Sequence, residues 1–314
     1  DELDKDAQVC FATCANYMVA FNGKDAPWKW DGDEATALTD APTDGQFAIL
    51  YREKLFTVPK TTPSTLVWSD SFQPEQWPAV NYWDVRPGDG DVITCIVPHL
   101  GELLVFKRRS LHTFAGTTLD DFRLDTRNTS IGCVGPFAAV AKEPSVYFIS
   151  DEGLCTWNGM TVTNLSSYRI PNLWERVNKK YLHRGAVGVW GNHIWFAVPE
   201  GDSTYNNLVI ICEHTSEDAR FWPLRGINAA CFLHYDDGER VSYYTGDALQ
   251  GCVNQQLVGN DDFGRPINAY WQSKTFDVGF PEHLKKFKEV ILTDSPSNLD
   301  LELQASLDYG RYNY

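Results

Sequence analysis

Two acidic runs, Asp31-Gly-Asp33-Glu34 and Asp89-Gly-Asp91, place carboxylates at the alternate spacing from which calcium loops draw ligands. Neither continues into the further ligands and the distal Glu that complete such a loop, so turn formation is the better account of both. Seven histidines, at 99, 112, 183, 193, 214, 234 and 283, show no metal-ligand spacing. Eight cysteines stand at 10, 14, 95, 133, 155, 212, 231 and 252, with no Cys-x-x-Cys pair. Cys10 and Cys14 are not followed by a second pair at zinc spacing. Most of the others lie in apolar runs, such as Thr94-Cys95-Ile96 and Ile211-Cys212, and read as buried free thiols. Gly88 and Gly90 lack the third glycine of a dinucleotide loop, and no phosphate-loop, His-Glu-x-x-His or Gly-x-Ser-x-Gly pattern occurs. With 42 Asp and Glu in the chain, spacing alone selects no general acid and base. The sequence therefore offers no catalytic, cofactor-binding or metal site residue.

One further signature bears on sugar chemistry. The Asp-box pattern, Ser-x-Asp-x-Gly-x-Thr-Trp, marks turns in glycosidase propellers. The stretch Ile149-Ser150-Asp151-Glu152-Gly153-Leu154-Cys155-Thr156 keeps its Asp and Gly but not its Ser, Thr or Trp, and it occurs once. A tight hairpin turn explains Asp-Glu-Gly without sugar chemistry. Lys107-Arg108-Arg109 falls on an expected turn, and Lys285, Lys286 and Lys288 open a late strand. Solvated turns or subunit salt bridges account for both clusters, with contact to passing DNA as the sharper alternative. Asn128-Thr-Ser and Asn164-Leu-Ser match glycosylation sequons, as chance allows in 314 residues.

The elements that would position such residues are strands. Aromatics make up 13% of the chain, with eleven Trp, fourteen Tyr and seventeen Phe, and these suit pleated, half-buried surfaces. Gly and Pro are scattered as punctuation, the mark of many short strands with frequent turns. The net charge of −15 argues against a broad grip on phosphate backbones, which needs basic stripes. No apolar run approaches the ~18 residues that read as a membrane-spanning helix.

The strands repeat. An apolar strand, a turn, a second strand and a third carrying a large apolar residue recur along the chain. Trp30, Trp68, Phe114, Trp157, Ile210 and Val253 mark the third strand of successive units and are 38, 46, 43, 53 and 43 residues apart. This spacing matches four-stranded propeller blades, which cannot bury both faces alone and do so by stacking in a ring. The longest interval contains Gly201 to Asn207, expected as an insertion between second and third strands. One helix is expected over Pro171 to Leu182, with Leu173, Trp174, Val177 and Tyr181 at helical spacing.

The expected fold is all-β: a propeller of about six blades over residues 10 to 260, in a domain spanning 1–260. The pattern changes beyond that point. Asn268 to Val278, Lys285 to Leu292 and Leu299 to Leu307 suggest longer strands, the last alternating apolar and polar. A second β element, sandwich-like and cut short, is expected over 261–314. The start at Asp1 without Met, and the stop just after a strand at Tyr314, read as a fragment of a longer protein.

Several stretches resemble propeller-type tail nozzle, tail hub and packaged-DNA stabilisation proteins of tailed bacteriophages. They are Asn22 to Gly32, Arg52 to Val58, Leu66 to Asp70, Trp77 to Trp83 and Asp84 to Asp91, with Lys274 to Gly279, Lys286 to Lys288 and Leu307 to Gly310. The resemblance implies a structural virion protein located in the phage tail, not an enzyme, with no cofactor. It further implies a homo-oligomeric ring, a hexamer, that closes or guides the DNA exit channel. Its partners would be other tail proteins, adaptor or portal-proximal proteins, and double-stranded DNA passing without tight binding; no membrane is involved. The expected ring contacts are Gly201 to Asn207, Asp120 to Asn128 and the late strands, and an acidic lumen would let DNA slide. The competing reading is a propeller glycosidase or glycan-binding protein, which would need clustered Arg and carboxylates in a pocket on the propeller axis.

Overall fold

The structure is a computed structural model describing residue 4, residues 7–215 and 218–259, and the short pieces 261–262, 265–267, 306–307 and 312–313. It separates into two compact units, residues 1–258 and 259–314. The first unit is a six-bladed β-propeller, and in every blade the strands pair antiparallel in chain order.

Blade 1 comprises β1 (Cys10–Cys14), β2 (Tyr17–Phe21), β3 (Trp28–Trp30) and β4 (Ala35–Ala37). Blade 2 comprises β5 (Gly45–Tyr51), β6 (Lys54–Pro59), β7 (Thr65–Trp68) and β8 (Tyr82–Asp84). Blade 3 follows as β9 (Ile93–His99), β10 (Glu102–Lys107), β11 (Leu111–Ala115) and β12 (Arg123–Asn128). Blade 4 is β13 (Ala139–Lys142), β14 (Ser145–Ser150), β15 (Gly153–Trp157) and β16 (Val162–Asn164). Blade 5 is β17 (Ala186–Trp190), β18 (His193–Val198), β19 (Leu208–His214) and β20 (Ala219–Arg225). Blade 6 has three strands among the described residues: β21 (Ala229–Asp236), β22 (Val241–Asp247) and β23 (Val253–Gln256).

All six marker residues lie in the third strand of their blades. Two-sided burial explains why the middle strands read as apolar runs rather than alternating ones: β10, β14 and β18 each bury nearly every residue. The outer strand β12 is mostly exposed and reads Arg-Leu-Asp-Thr-Arg-Asn.

Four apolar clusters seal consecutive blades. Val19, Phe21, Ala48 and Leu55 join blades 1 and 2. Phe56, Trp68, Phe114 and Phe122 join blades 2 and 3, with ring centroids 4.7 to 6.0 Å apart. Phe106, Phe148, Trp157, Phe196 and Ile210 lie in one cluster spanning blades 3 to 5. Trp195, Val209, Ala229 and Tyr243 join blades 5 and 6.

The expected helix is corrected in extent. An α-helix, α1, covers only Pro171–Glu175, and a 3-10 helix follows at Lys179–Arg184. The backbone between them is taken by blade 5: Asn178 N donates to Pro199 O (2.8 Å), and Val177 bridges to Glu200. Asn178 Oδ1 then accepts from Lys180 N at the start of the second turn. The insertion 201–207 lies between β18 and β19, as its sequence position implies. In the second unit, Asp261–Asp262 pairs with Arg265–Pro266, and Ser306–Leu307 with Tyr312–Asn313. The sandwich-like reading of 261–314 otherwise falls outside the described residues.

Candidate functional site

The acidic motifs resolve into turn chemistry. Asp31 Oδ1 accepts from the backbone N–H groups of Asp33 and Glu34, both at 2.9 Å, closing the β3–β4 turn. Asp151-Glu-Gly153 makes the β14–β15 hairpin, and Gly153 sits at φ 152° with the Ser166 and Asn164 side chains against its Cα. Both sequon asparagines cap turns: Asn128 Oδ1 accepts from Ser130 N and Ile131 N, and Asn164 Oδ1 from Ser166 N and Ser167 N.

The basic cluster departs from a solvated turn. Lys107 is fully buried, and its ammonium donates to both Asp89 oxygens (2.8 and 2.9 Å), to Arg86 O (3.0 Å) and to Asp91 O (3.2 Å). The Asp91 carboxylate accepts from the backbone N–H groups of Arg108 (3.2 Å) and Arg109 (2.8 Å). The Asp89-Gly-Asp91 segment thus clamps the β10–β11 turn. Burial pushes the Asp89 carboxyl up, but its Lys107 and backbone hydrogen bonds outweigh this and hold it below the usual range. Arg108 forks onto Asp151 through Nε (2.8 Å) and Nη2 (2.7 Å), tying blade 3 to blade 4. The side chains of Lys107 and Arg108 are therefore engaged within the chain.

Among the described residues, Arg–carboxylate groups of the kind a glycan reading would seek occur in related form, the closest-knit at Glu200. Arg225 forks onto Glu200 at 2.8 and 2.9 Å, and Arg176 adds a third contact at 3.1 Å. These contacts, the Arg225 hydrogen bond foremost, hold the Glu200 carboxyl below its ordinary value. Among the described residues no group of three or more His, Cys, Asp or Glu could hold a metal ion.

The expected contact loops are engaged in different ways. Asn206 Nδ2 donates to Arg184 O (2.8 Å) and Ala229 O (2.7 Å), so the insertion braces the blade 5–6 junction from inside. The Asp120 to Asn128 segment holds a turn closed by Asp121 and then β12, whose outward side chains are exposed.

A feature that sequence reading missed is the pair of faces where the ring begins and ends. Among the described residues, no apolar cluster joins blade 6 to blade 1; Gln8 Nε2 donates to Ala230 O (2.9 Å) across that junction. Cross-strand register places Phe11, Thr13, Met18, Ala20, Trp28 and Trp30 on the blade 1 face turned away from blade 2. Phe11 is 55% exposed and Trp30 40%. On blade 6, Cys231, Leu233, Tyr235, Tyr244, Val253 and Gln255 share the face turned away from blade 5. Leu233 is 56% exposed and Val253 72%. None of these residues is charged, in a chain with 69 Lys, Arg, Asp and Glu. In a ring of six blades these two faces look toward each other across the blade 6–blade 1 junction. The strand alternation was in the sequence, but which face lacks a neighbour depends on how the ring closes.

No protein-family model and no curated protein matches the chain. Among solved structures, the extracellular domain of the hybrid two-component system BT4673 from B. thetaiotaomicron is similar at TM-score 0.50 and 11% identity. That match covers 78% of this chain and 31% of the other, so the chain spans about a third of that structure's length. The computationally designed Ika8 protein is similar at TM-score 0.47 and 11% identity, over 79% of this chain and 70% of the designed one. At such identity the likeness extends to fold alone.

Proposed function

We propose that this propeller is a structural subunit of a bacteriophage tail, part of a nozzle or hub ring that closes or guides the DNA exit channel. In this reading it has no catalytic role. It resides in the virion as one copy of a cyclic homo-oligomer, a hexamer, beside other tail and adaptor or portal-proximal proteins. Duplex DNA passes it without tight binding, consistent with a net charge of −15.

The observation that carries the proposal is the pair of uncharged, exposed faces on blades 1 and 6. Burying Phe11, Trp30, Leu233 and Val253 against a partner contributes on the order of 25 cal/mol per Å² of apolar area removed from water. The resemblance of Leu66 to Asp70 and Trp77 to Asp91 to phage tail proteins supplies the biological setting.

Sedimentation of the full-length protein against a Trp30→Glu/Leu233→Glu double variant tests this. The expected result is an oligomer for the native sequence and a folded monomer for the variant. Monomers for both, at high concentration, contradict the proposal.

A further inference from the structure

The chain crosses from blade 3 to blade 4 between β12 and β13, and this crossing is pinned to the first strands of blade 3. Cys133 N donates to Lys107 O (3.0 Å), and the Thr94 hydroxyl donates to Cys133 O (2.7 Å). The approach is close enough that a Cβ on Gly132 would meet Lys107 O. Cys133 is thereby held beside Cys95, the residue that follows Thr94 in β9.

Both thiols lie in the apolar cluster spanning blades 3 to 5, at 1% exposure for Cys95 and 0% for Cys133. They donate to successive carbonyls of the crossing: Cys133 Sγ to Gly135 O and Cys95 Sγ to Pro136 O, each at 3.4 Å. The Cys133 side chain reaches that of Cys95, and this contact, followed by burial, pushes the Cys95 thiol well above its ordinary value. The neighbouring thiols face other groups. Cys10 Sγ donates to Ala48 O in blade 2 (3.4 Å), and Cys155 Sγ lies 3.4 Å from Ser150 Oγ within blade 4.

We propose that Cys95 and Cys133 are a dithiol modification site, converted to an intramolecular disulfide by a small-molecule disulfide such as oxidised glutathione. One protein thiolate attacks the sulfur–sulfur bond of the reagent, forming a mixed disulfide and releasing one reduced thiol. The second protein thiolate then displaces the remaining half of the reagent. Two S–H bonds of the protein are lost and one sulfur–sulfur bond forms. Two molecules of the reduced reagent carry away the two hydrogens and two electrons. The side chains must turn from the Gly135 and Pro136 carbonyls toward each other, while the backbone bonds at Cys133 stay in place. Burial and the raised Cys95 pKa make the closed fold slow to react, so exchange proceeds when the crossing opens locally. Once formed, the disulfide fastens the crossing to β9 and restricts the unfolded chain. It lies within one subunit, so its formation reads the same in a ring or a monomer.

The test is disulfide mapping of the full chain. Reduced, folded protein is incubated with oxidised glutathione and quenched with acid. Remaining thiols are then blocked with N-ethylmaleimide in denaturant, and linked peptides are identified by mass spectrometry. The expected product is the Cys95–Cys133 link, about tenfold or more over any other pair, because the fold holds these two sulfurs together. The same incubation of the chain unfolded in denaturant should lose that preference. The linked protein should need more denaturant to unfold than the reduced one, and Cys133→Ala should abolish that gain. Should Cys133→Ala fail to fold, the map of the native chain decides alone. Both cysteines recovered as blocked free thiols, glutathione retained on either without closure, or a link to Cys10 or Cys155 in its place, overturns the proposal.

Discussion

Lys107 Nζ lies 2.8 Å from Asp89 Oδ1, in a cage where the lysine is fully buried and the aspartate side chain is 34% exposed. Removing one member of a buried pair strands the other, which typically costs 3–5 kcal/mol. Lys107→Ala should destabilise the propeller by about 3 kcal/mol, the low end, because solvent reaches Asp89. The carboxylate's pKa is depressed in the folded state, so its stabilisation is present above the unfolded value of ~3.9 and is lost as pH falls through the folded value. Denaturant unfolding should therefore show the native chain losing more stability between about pH 4 and 2 than Asp89→Asn does.

His112 supplies a second acid-sensitive element. Its ring lies buried between the Ser110 hydroxyl (3.0 Å) and the Thr126 hydroxyl (3.1 Å). Burial first, then the charges of Lys107 and Arg86, lower its pKa to about 4. The unfolded chain binds a proton near pH 6.5, so stability is complete above that value and falls as pH drops toward about 4. The loss is on the order of 3 kcal/mol. His112→Gln should abolish that slope, read as unfolding midpoints at pH 7, 5.5 and 4.5.

Gly188 admits no side chain. A Cβ there meets the Tyr243 hydroxyl and the Phe232 ring, which stacks on Tyr243 at 5.7 Å. Gly188→Ala should cost about 1–3 kcal/mol by overpacking the junction. Hydrogen exchange should show the loss concentrated in β21 to β23, while blades 2 and 3 keep their protection.

The sequence made the blades legible because a two-sided sheet imposes apolar middle strands and turn residues at regular intervals. Trp68, Phe114 and Trp157 mark the period, and each is nearly fully buried. The short outer strands β4, β8 and β16 are weaker signals, since none of their residues is fully buried and each pairs for three residues only. The helix expected over 171–182 stops at Glu175 because the apolar spacing of Trp174 and Val177 serves burial, with Val177 bridging to blade 5, rather than a continuous helix. Lys107 looked like a surface charge because nothing local reveals that Asp89, 18 residues earlier, returns to enclose it. The Tyr147–His214 contact spans 67 residues and two blades, which no local pattern encodes.

The uncovered faces offer a separate test through single substitutions. Val253→Lys and Phe11→Lys place charge on surfaces that are 72% and 55% exposed in the free subunit. Thermal unfolding of the dilute monomer should move little, within about 0.5 kcal/mol, as for surface substitutions generally. Association should weaken by tenfold or more, because each change buries an unpaired charge in the assembled state.

Electron microscopy of the purified full-length protein tests the central claim most directly. The account predicts closed rings of identical subunits around an open lumen, six to a ring, with the blade 1 and blade 6 faces covered and the lumen lined by acidic side chains. Monomers at every concentration, together with no symmetric copies in the particle it comes from, would contradict it.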